Sequence, residues 1–488
     1  MASSGRTHAL SRASPSRPRP RGKAGARSMG NGRAQDRGVT ALLLLGIFAL
    51  LVSGLTSTYV PRLVKWRQGA DCVPGDTTPC LPENHHPDID VVSVVVKPTC
   101  VTKVSVQGIN QYIAPRRIHF ITKDEHACEI ILKFANNIRC YPQDTLVPGL
   151  TKQTVSDELQ NLFSEKADAS GTYMGRELAG WYLQQLLKLG AARHLPYLSH
   201  TFLVWDPDMI PLEPFRVFSK ERSGATGKER VMRHVGGYVI KEYEYAYEKL
   251  TQEQLANAPD GSSYVTHAML FERSIVEELL GMFSDAWEDR IREEAKEMSD
   301  KVKAGSARDG AIGRVDSVGV GRIGGARGIK ELGDRRWKES NEFGDEQNLR
   351  NSNPGMHHSK KHPPTWAKAI LASLNPTRLD LGFSEYASYA SYVATHHPET
   401  VEVVPHRTWT RHPLGPFLGS FGIKILKRWS PVVGKCCPSA FAVRLMKLLG
   451  YQYGGFEVGH VASCGYDSPE NQDSYGVPES NIFRSRDF

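Results

Sequence analysis

From Val39 to Val60 the chain reads VTALLLLGIFALLVSGLTSTYV, 22 residues without a charge. A helix of that length reaches about 33 Å, enough to cross a hydrocarbon core of about 30 Å. Residues 1–37 hold nine Lys or Arg against one acid, Asp36, and Arg62, Lys65 and Arg67 follow the run. The basic excess keeps the N-terminus cytosolic and sends everything after residue 60 across the membrane. The expectation is a single-pass type II signal anchor over residues 38–60, preceded by a cytosolic basic tail over 1–37. A cleaved signal peptide is the main alternative, but its apolar core is usually about 7 to 15 residues. The Arg- and Ser-rich, acid-poor tail is also compatible with a transit peptide.

The tail accounts for the whole net charge of +8. Removing its nine bases and one acid from totals of 61 and 53 leaves 52 of each. A neutral body carries no electrostatic footprint for nucleic acid. All eight cysteines follow the span, which suits an oxidising lumen where some pair, although spacing does not fix the connectivity. Buried free thiols are the alternative. No CxxC…CxxC or HExxH zinc pattern occurs, and no Asn-X-Ser/Thr acceptor, because Pro376 blocks Asn375-Pro376-Thr377.

Residues 61–115 open with turn signals (DCVPGDTTPCLPENHHPD) and reach the β-branched stretch Val91 to Val96, which reads as a stem leading into the edge of a globular domain. From Arg117 strands and helices alternate. Ile118 to Thr122 (IHFIT) is a buried strand, followed by a polar turn and a helix through Ile130, Ile131 and Phe134. Glu177 to Ala192 has helical spacing, with Gln184 and Lys188 together on a polar face, and Thr201 to Trp205 (TFLVW) is a short apolar strand. A second strand-helix passage runs from Gly236 through Thr266 to a helix ending near Met282. Residues 301–360 hold eleven Gly and few apolar residues, too little apolar surface to offset ordering. The organisation expected is an α/β domain over 116–295, a disordered insertion over 296–362, the rest of the domain over 363–460, and a tail over 461–488.

The sharpest local signal is TFLVWDPDMIPLEPF. In an extended segment residues i and i+2 face the same way, so Asp206 and Asp208 can converge on one cation. Carboxylate oxygens suit Mg²⁺ or Mn²⁺, whose other positions substrate phosphates commonly fill. Open α/β sheets bind ligands beyond the carboxyl ends of their strands, where this pair lies. An Asx turn stiffened by Pro207 is the alternative.

An apolar strand ending in Asp-X-Asp, preceded by a helix such as GWYLQQLLKLGAA, resembles the nucleotide-diphospho-sugar transferases of the GT-A type, in a poorly characterised glycosyltransferase-like branch. The resemblance runs with gaps from about Arg117 to His412 and includes RRIHFITKDE, SYVTHAMLFER (Ser263 to Arg273) and GFSEYASYASYV (Gly382 to Val393). It implies a GT-A-like, Rossmann-type mixed sheet flanked by helices, with Asp206 and Asp208 as the metal pair of a nucleotide-sugar site. It also implies that the turn Thr122 to Asp124 approaches the nucleotide and that Lys188 lies near the diphosphate. A solvated turn and a solvated helix face are the competing readings.

Other candidates follow from chemistry. His267, between a strand and a helix, stands at an acceptor-site position or is a hydrogen-bonded structural histidine. Ser384 caps a helix in which Tyr386, Tyr389 and Tyr392 form a core stripe. Glu385, at its first turn, is either a base for the acceptor hydroxyl or a helix-dipole glutamate. In KEYEYAYEKL, Glu242 and Glu244 belong to a solvated, packed surface. Downstream, His406, Arg407, Trp409, Arg411 and His412 offer a cation for a leaving diphosphate or a histidine for the metal shell, Arg411 being the cation carried forward.

Together these features point to a Golgi or related endomembrane enzyme. It would use Mn²⁺ or Mg²⁺ to move a sugar from a nucleoside-diphosphate donor to a glycan or other hydroxyl acceptor. The rivals are a non-catalytic, membrane-tethered carbohydrate-binding or scaffold protein on the same fold, and a metal-dependent phosphodiesterase or nucleotidyltransferase.

Overall fold

Runs rich in Val, Ile and Phe fit a pleated surface covered on both sides, and here they build one sheet. The computed structural model describes residues 86–164, 172–173, 176–214, 216–222, 229–237, 239–309, 362–404, 408–411, 437–438 and 440–456. All lie in the second of two units into which the chain divides, Pro74–Phe488. The basic tail, the span over 38–60, the stem to residue 85, the Gly-rich run 310–361, the C-terminal tail, and Cys72, Cys80, Cys436 and Cys464 lie outside the described residues. Among the described residues no helix is long and apolar enough to cross a membrane.

In chain order the main elements are β1 (Asp90–Val95), α1 (Cys100–Tyr112), β2 (Arg117–Thr122), α2 (Glu125–Ile131), β3 (Ile138–Pro142), α3 (Lys152–Phe163) and α4 (Leu178–His194). They continue with β4 (Thr201–Trp205), α5 (Lys241–Thr251), β5 (Ala268–Glu272), α6 (Arg273–Asp309), α7 (Thr365–Ala372), α8 (Glu385–His396) and α9 (Ala440–Leu448). The sheet order is β5-β4-β1-β2-β3, parallel except that β5 runs antiparallel to β4. This is a mixed α/β fold with a parallel-rich central sheet.

Alternation along the strands sorts the core into two layers. Val92, Val94, Phe202, Val204, Met269 and Phe271 pack with α3, α4, α6, α7 and α8 on one side. Val91, Val95, Leu203, Trp205 and Leu270 pack with α1 on the other. Two sequence expectations change. The Val91–Val95 run, read as the edge of the domain, is its middle strand, because β1 is covered on both faces and paired on both sides. The helix expected to end near Met282 continues to Asp309, into the expected insertion, and its exposed stretch carries the i,i+4 pairs Glu288–Arg292 and Glu297–Lys301.

Two disulfides, Cys100–Cys437 and Cys128–Cys140, cross-link the domain. A ribbon of three short strands, Trp409–Thr410, Tyr453–Gly455 and Met209–Pro211, closes over the chain just after Asp206. A second ribbon pairs Glu229–Arg233 with Phe218–Arg222 and with Val401–Val403.

Candidate functional site

Strand register creates the first contact of the site. Ala268 pairs with Trp205 across β5 and β4, so the next residues, His267 and Asp206, stand side by side beyond the carboxyl end of β4. The Asp206 amide donates to the His267 carbonyl at 2.9 Å, and His267 Nδ1 lies 2.7 Å from Asp206 Oδ2. His267 holds φ at +62°, a left-handed conformation uncommon for a residue with a side chain.

α4 supplies the cation. Glu177 caps its start by accepting from Gly180, and Tyr182, Gln185 and Lys188, three residues apart, share one face. That face grips the segment leading into α8: Tyr182 donates to the Leu379 carbonyl at 2.5 Å, and Gln185 Oε1 accepts from the Glu385 amide at 3.3 Å. Lys188 then reaches both acids, with Nζ 2.5 Å from Asp206 Oδ1 and 2.6 Å from Glu385 Oε1. Gly382 allows the close approach, since a Cβ there would stand 2.7 Å from the Tyr182 hydroxyl.

α8 closes the cluster. Ser384 caps it through Ala387, and the Tyr386 hydroxyl donates to Asp206 Oδ1 at 2.9 Å while its ring lies 4.6 Å from the Lys188 ammonium. Trp409 stacks edgewise on His267 at 5.2 Å and anchors its own indole on the Val235 carbonyl. The side chains of Lys188, Asp206 and Glu385 are 8%, 16% and 3% exposed. Burial opposes charge on Asp206, but Lys188 and His267 outweigh it and hold its carboxyl below the ordinary range. For Lys188, burial disfavours the ammonium, and Asp206 and Glu385 more than compensate, so its pKa is raised. Burial and the two acids push the Tyr386 phenol well up.

Asp206, Lys188, His267 and Glu385, all singled out from sequence, thus come together, but in a different arrangement. Residues 206–209 form a turn closed by the Met209 amide on the Asp206 carbonyl, so the extended geometry expected to bring Asp206 and Asp208 together does not apply. Asp208 instead fastens the Phe456 amide through its carbonyl. Lys188, expected beside Gln184 on a polar face, is buried between two carboxylates. Thr122 and Asp124 lie at the carboxyl end of β2, where the Thr122 hydroxyl donates to the Asp124 carbonyl and Asp124 caps α2 through Ala127. Arg411 is exposed beyond Trp409 and is not a partner of Asp206; His406, Arg407 and His412 lie outside the described residues. Sequence reasoning treated Tyr386 as core and missed its hydroxyl bond.

The divalent ion implied by the resemblance does not fit at Asp206 in this arrangement. Both carboxylate oxygens carry hydrogen bonds and an ammonium occupies the space beside Oδ1. Among the described residues no group of three His, Cys, Asp or Glu side chains is placed to hold a metal. A cavity of about 440 Å³ lies elsewhere, lined by Leu250, Gln252, Glu278, Asp285 and Tyr392.

Fold and site define an α/β protein with a buried Asp-Lys-Glu bridge and an Asp-His pair at the carboxyl ends of its parallel strands. Residues 100–279 match the model of a family of unknown function, DUF6492. No curated protein matches the chain. Solved structures with a likeness include the galactosyltransferase LgtC in complex with donor and acceptor sugar analogues, at 9% identity over 41% of this chain and 66% of that one, with a TM-score of 0.23. Mouse xyloside xylosyltransferase 1, in its apo form, is 10% identical over 66% of this chain and 87% of that one, with a TM-score of 0.27.

Proposed function

We propose that this chain transfers a glycosyl group from a nucleoside-diphosphate donor to an acceptor hydroxyl, at the carboxyl ends of β1, β2 and β4. The observation that carries the reading is the Asp206–His267 pair set against the Lys188–Glu385 bridge. An ionised Asp206 accepts from Nδ1–H of His267, which leaves Nε2 bare on a ring that is 20% exposed. That nitrogen is the base: the acceptor oxygen bonds to the anomeric carbon, the bond from that carbon to the diphosphate breaks, and the hydroxyl proton passes to His267 Nε2. Asp206 stabilises the imidazolium, as an orienting carboxylate does in an Asp-His pair. Glu385, paired and buried, is a positioning residue rather than the base. Mn²⁺ or Mg²⁺ has no role at Asp206 in this scheme.

The proposed place of action is the lumen of the Golgi or a related endomembrane, with residues 38–60 as the anchor. The hydropathy of that run and the two disulfides support it, since disulfides persist in oxidising compartments. Protease treatment of sealed microsomes tests the topology: protection of the domain after residue 60 supports it, and digestion without detergent opposes it.

A second reading, a non-catalytic carbohydrate-binding or scaffold protein on the same fold, draws on the full saturation of the Asp206 carboxylate. Turnover separates the two. Incubating the full-length chain in detergent with a panel of nucleotide sugars should release nucleoside diphosphate in a sugar-selective way, and His267→Asn should slow that release about 10²- to 10⁴-fold. Release without sugar selectivity would point to phosphoester chemistry, and no release to the scaffold.

A further inference from the structure

Of the buried Asp, Glu, Lys and Arg side chains among the described residues, Asp90, Lys188 and Glu385 each have an ion partner. Arg233 has none. It ends the strand Glu229–Arg233 and is 3% exposed. Its guanidinium lies over the rings of Tyr389 at 5.5 Å and Tyr264 at 5.8 Å, both buried. Nε and Nη1 are buried without a hydrogen-bond acceptor. Burial disfavours its charged form and only the two tyrosines act the other way, yet a guanidinium keeps its proton in proteins. An uncompensated buried charge is costly to a fold unless something binds it.

The surroundings hold this group in place. The Gly236 amide donates to the Ser263 carbonyl at 2.5 Å, and a Cβ at Gly236 would stand 2.3 Å from the Val265 carbonyl, so the segment after Arg233 is pressed against the one that ends in His267. Tyr389 and Tyr386 lie three residues apart on α8, a rise of about 4.5 Å, and Tyr386 is the residue bonded to Asp206. Arg233 therefore sits about one helical turn along α8 from the candidate site. Aromatic contacts to a guanidinium are made by its faces, which leaves the N–H edge for a forked bond to an oxyanion.

We propose that Arg233 is an oxyanion-binding residue and that its ligand is a phosphoryl group of the kind a nucleoside diphosphate carries. The anion site stands on the geometry alone; only the identity of the ligand rests on the glycosyl-transfer reading. A diphosphate requires a cationic partner, and Lys188 is already neutralised by Asp206 and Glu385.

The test is thermal unfolding of the full-length chain in detergent with inorganic pyrophosphate, against acetate and chloride at equal ionic strength. Pyrophosphate at ten times its Kd should raise the wild-type Tm by about 3 °C, while acetate and chloride do not. Arg233→Met should melt above wild type without added anion and show no pyrophosphate response; Asp206→Asn should keep the response. Should Arg233→Met fail to fold, Arg233→Lys, which keeps the charge and loses the fork, should need about tenfold more pyrophosphate for the same shift. No wild-type shift up to about 10 mM, a weak affinity for a charged ligand, or an undiminished shift in the Arg233 variants, overturns the site. An equal response to acetate overturns the phosphoryl assignment. A pyrophosphate response without nucleotide-sugar binding leaves the anion site standing and removes the glycosyl-transfer reading instead.

Discussion

Lys188 Nζ lies 2.6 Å from Glu385 Oε1, joining side chains 197 residues apart in the chain. The same ammonium holds Asp206 at 2.5 Å, so one lysine fixes a carboxylate at the end of β4 and another at the start of α8. Charge neutralisation and site assembly are a single event here.

Removing that lysine leaves two buried carboxylates without their cation. Lys188→Met should cost about 3–5 kcal/mol of stability, the usual result of breaking one side of a buried ion pair. Urea unfolding measures it. The double variant Lys188→Met/Glu385→Gln should recover part of the loss, because one of the stranded charges is gone. A loss under about 0.5 kcal/mol, typical of exposed pairs, would contradict the buried bridge.

The pH dependence has a defined sign. Asp206 is held below its ordinary value of 3.8, because Lys188 and His267 outweigh the opposing effect of burial. A lowered folded-state value gives stability that is present above the unfolded value and lost as pH falls through the folded one. Lys188 is held above its ordinary 10.5, with burial opposing and the two acids prevailing, so its contribution is full below 10.5 and lost as pH rises through the folded value. The stability difference between wild type and Asp206→Asn should shrink as pH falls from about 5 to about 2. Unfolding midpoints across that range check it, and a difference that grows on acidification would be the wrong sign.

His267→Asn separates catalysis from folding. Asparagine accepts the left-handed backbone that His267 adopts, so the change in Tm should be small. Turnover should fall about 10²- to 10⁴-fold through loss of a general base. A large Tm loss with proportionate activity would mark the histidine as structural.

How far these features could be read in the sequence depends on their range. The strands Ile118–Thr122 and Thr201–Trp205 and the Ser384-capped helix follow from local texture, and the structure places them within a residue of expectation. KEYEYAYEKL, read as a solvated and packed helix, divides in that way: Tyr243, Ala246, Tyr247 and Leu250 are its buried stripe. The legible hint for Lys188 was its position among Leu186, Leu187 and Leu189 in a helix buried almost all round, which is an unusual setting for a lysine. Its partners were not legible, because no periodicity links residues 188, 206 and 385. Register between β4 and β5 decides that His267 faces Asp206, and register is set by pairing rather than by either strand alone.

The Cys128–Cys140 disulfide ties α2 to β3 beside the turn after β2. Both sulfurs approach the Thr122 hydroxyl, at 3.3 and 3.7 Å, and the residues are 12 apart in sequence. Cys128→Ser/Cys140→Ser should lose about 2–3 kcal/mol and weaken donor binding at the Thr122–Asp124 turn. Urea unfolding with and without reductant, paired with donor titration, checks both effects. Unchanged donor affinity would separate that turn from the nucleotide.

Saturation-transfer NMR on the full-length chain in detergent, with a panel of nucleoside-diphosphate sugars, addresses the central claim most directly. The account predicts that one or a few donors show transfer to the sugar ring in wild type, without added Mn²⁺, and that Asp206→Ala abolishes it while the chain stays folded. Equal transfer in both proteins, or none in wild type with any donor, would contradict a nucleotide-sugar site built on Asp206, Lys188, His267 and Glu385.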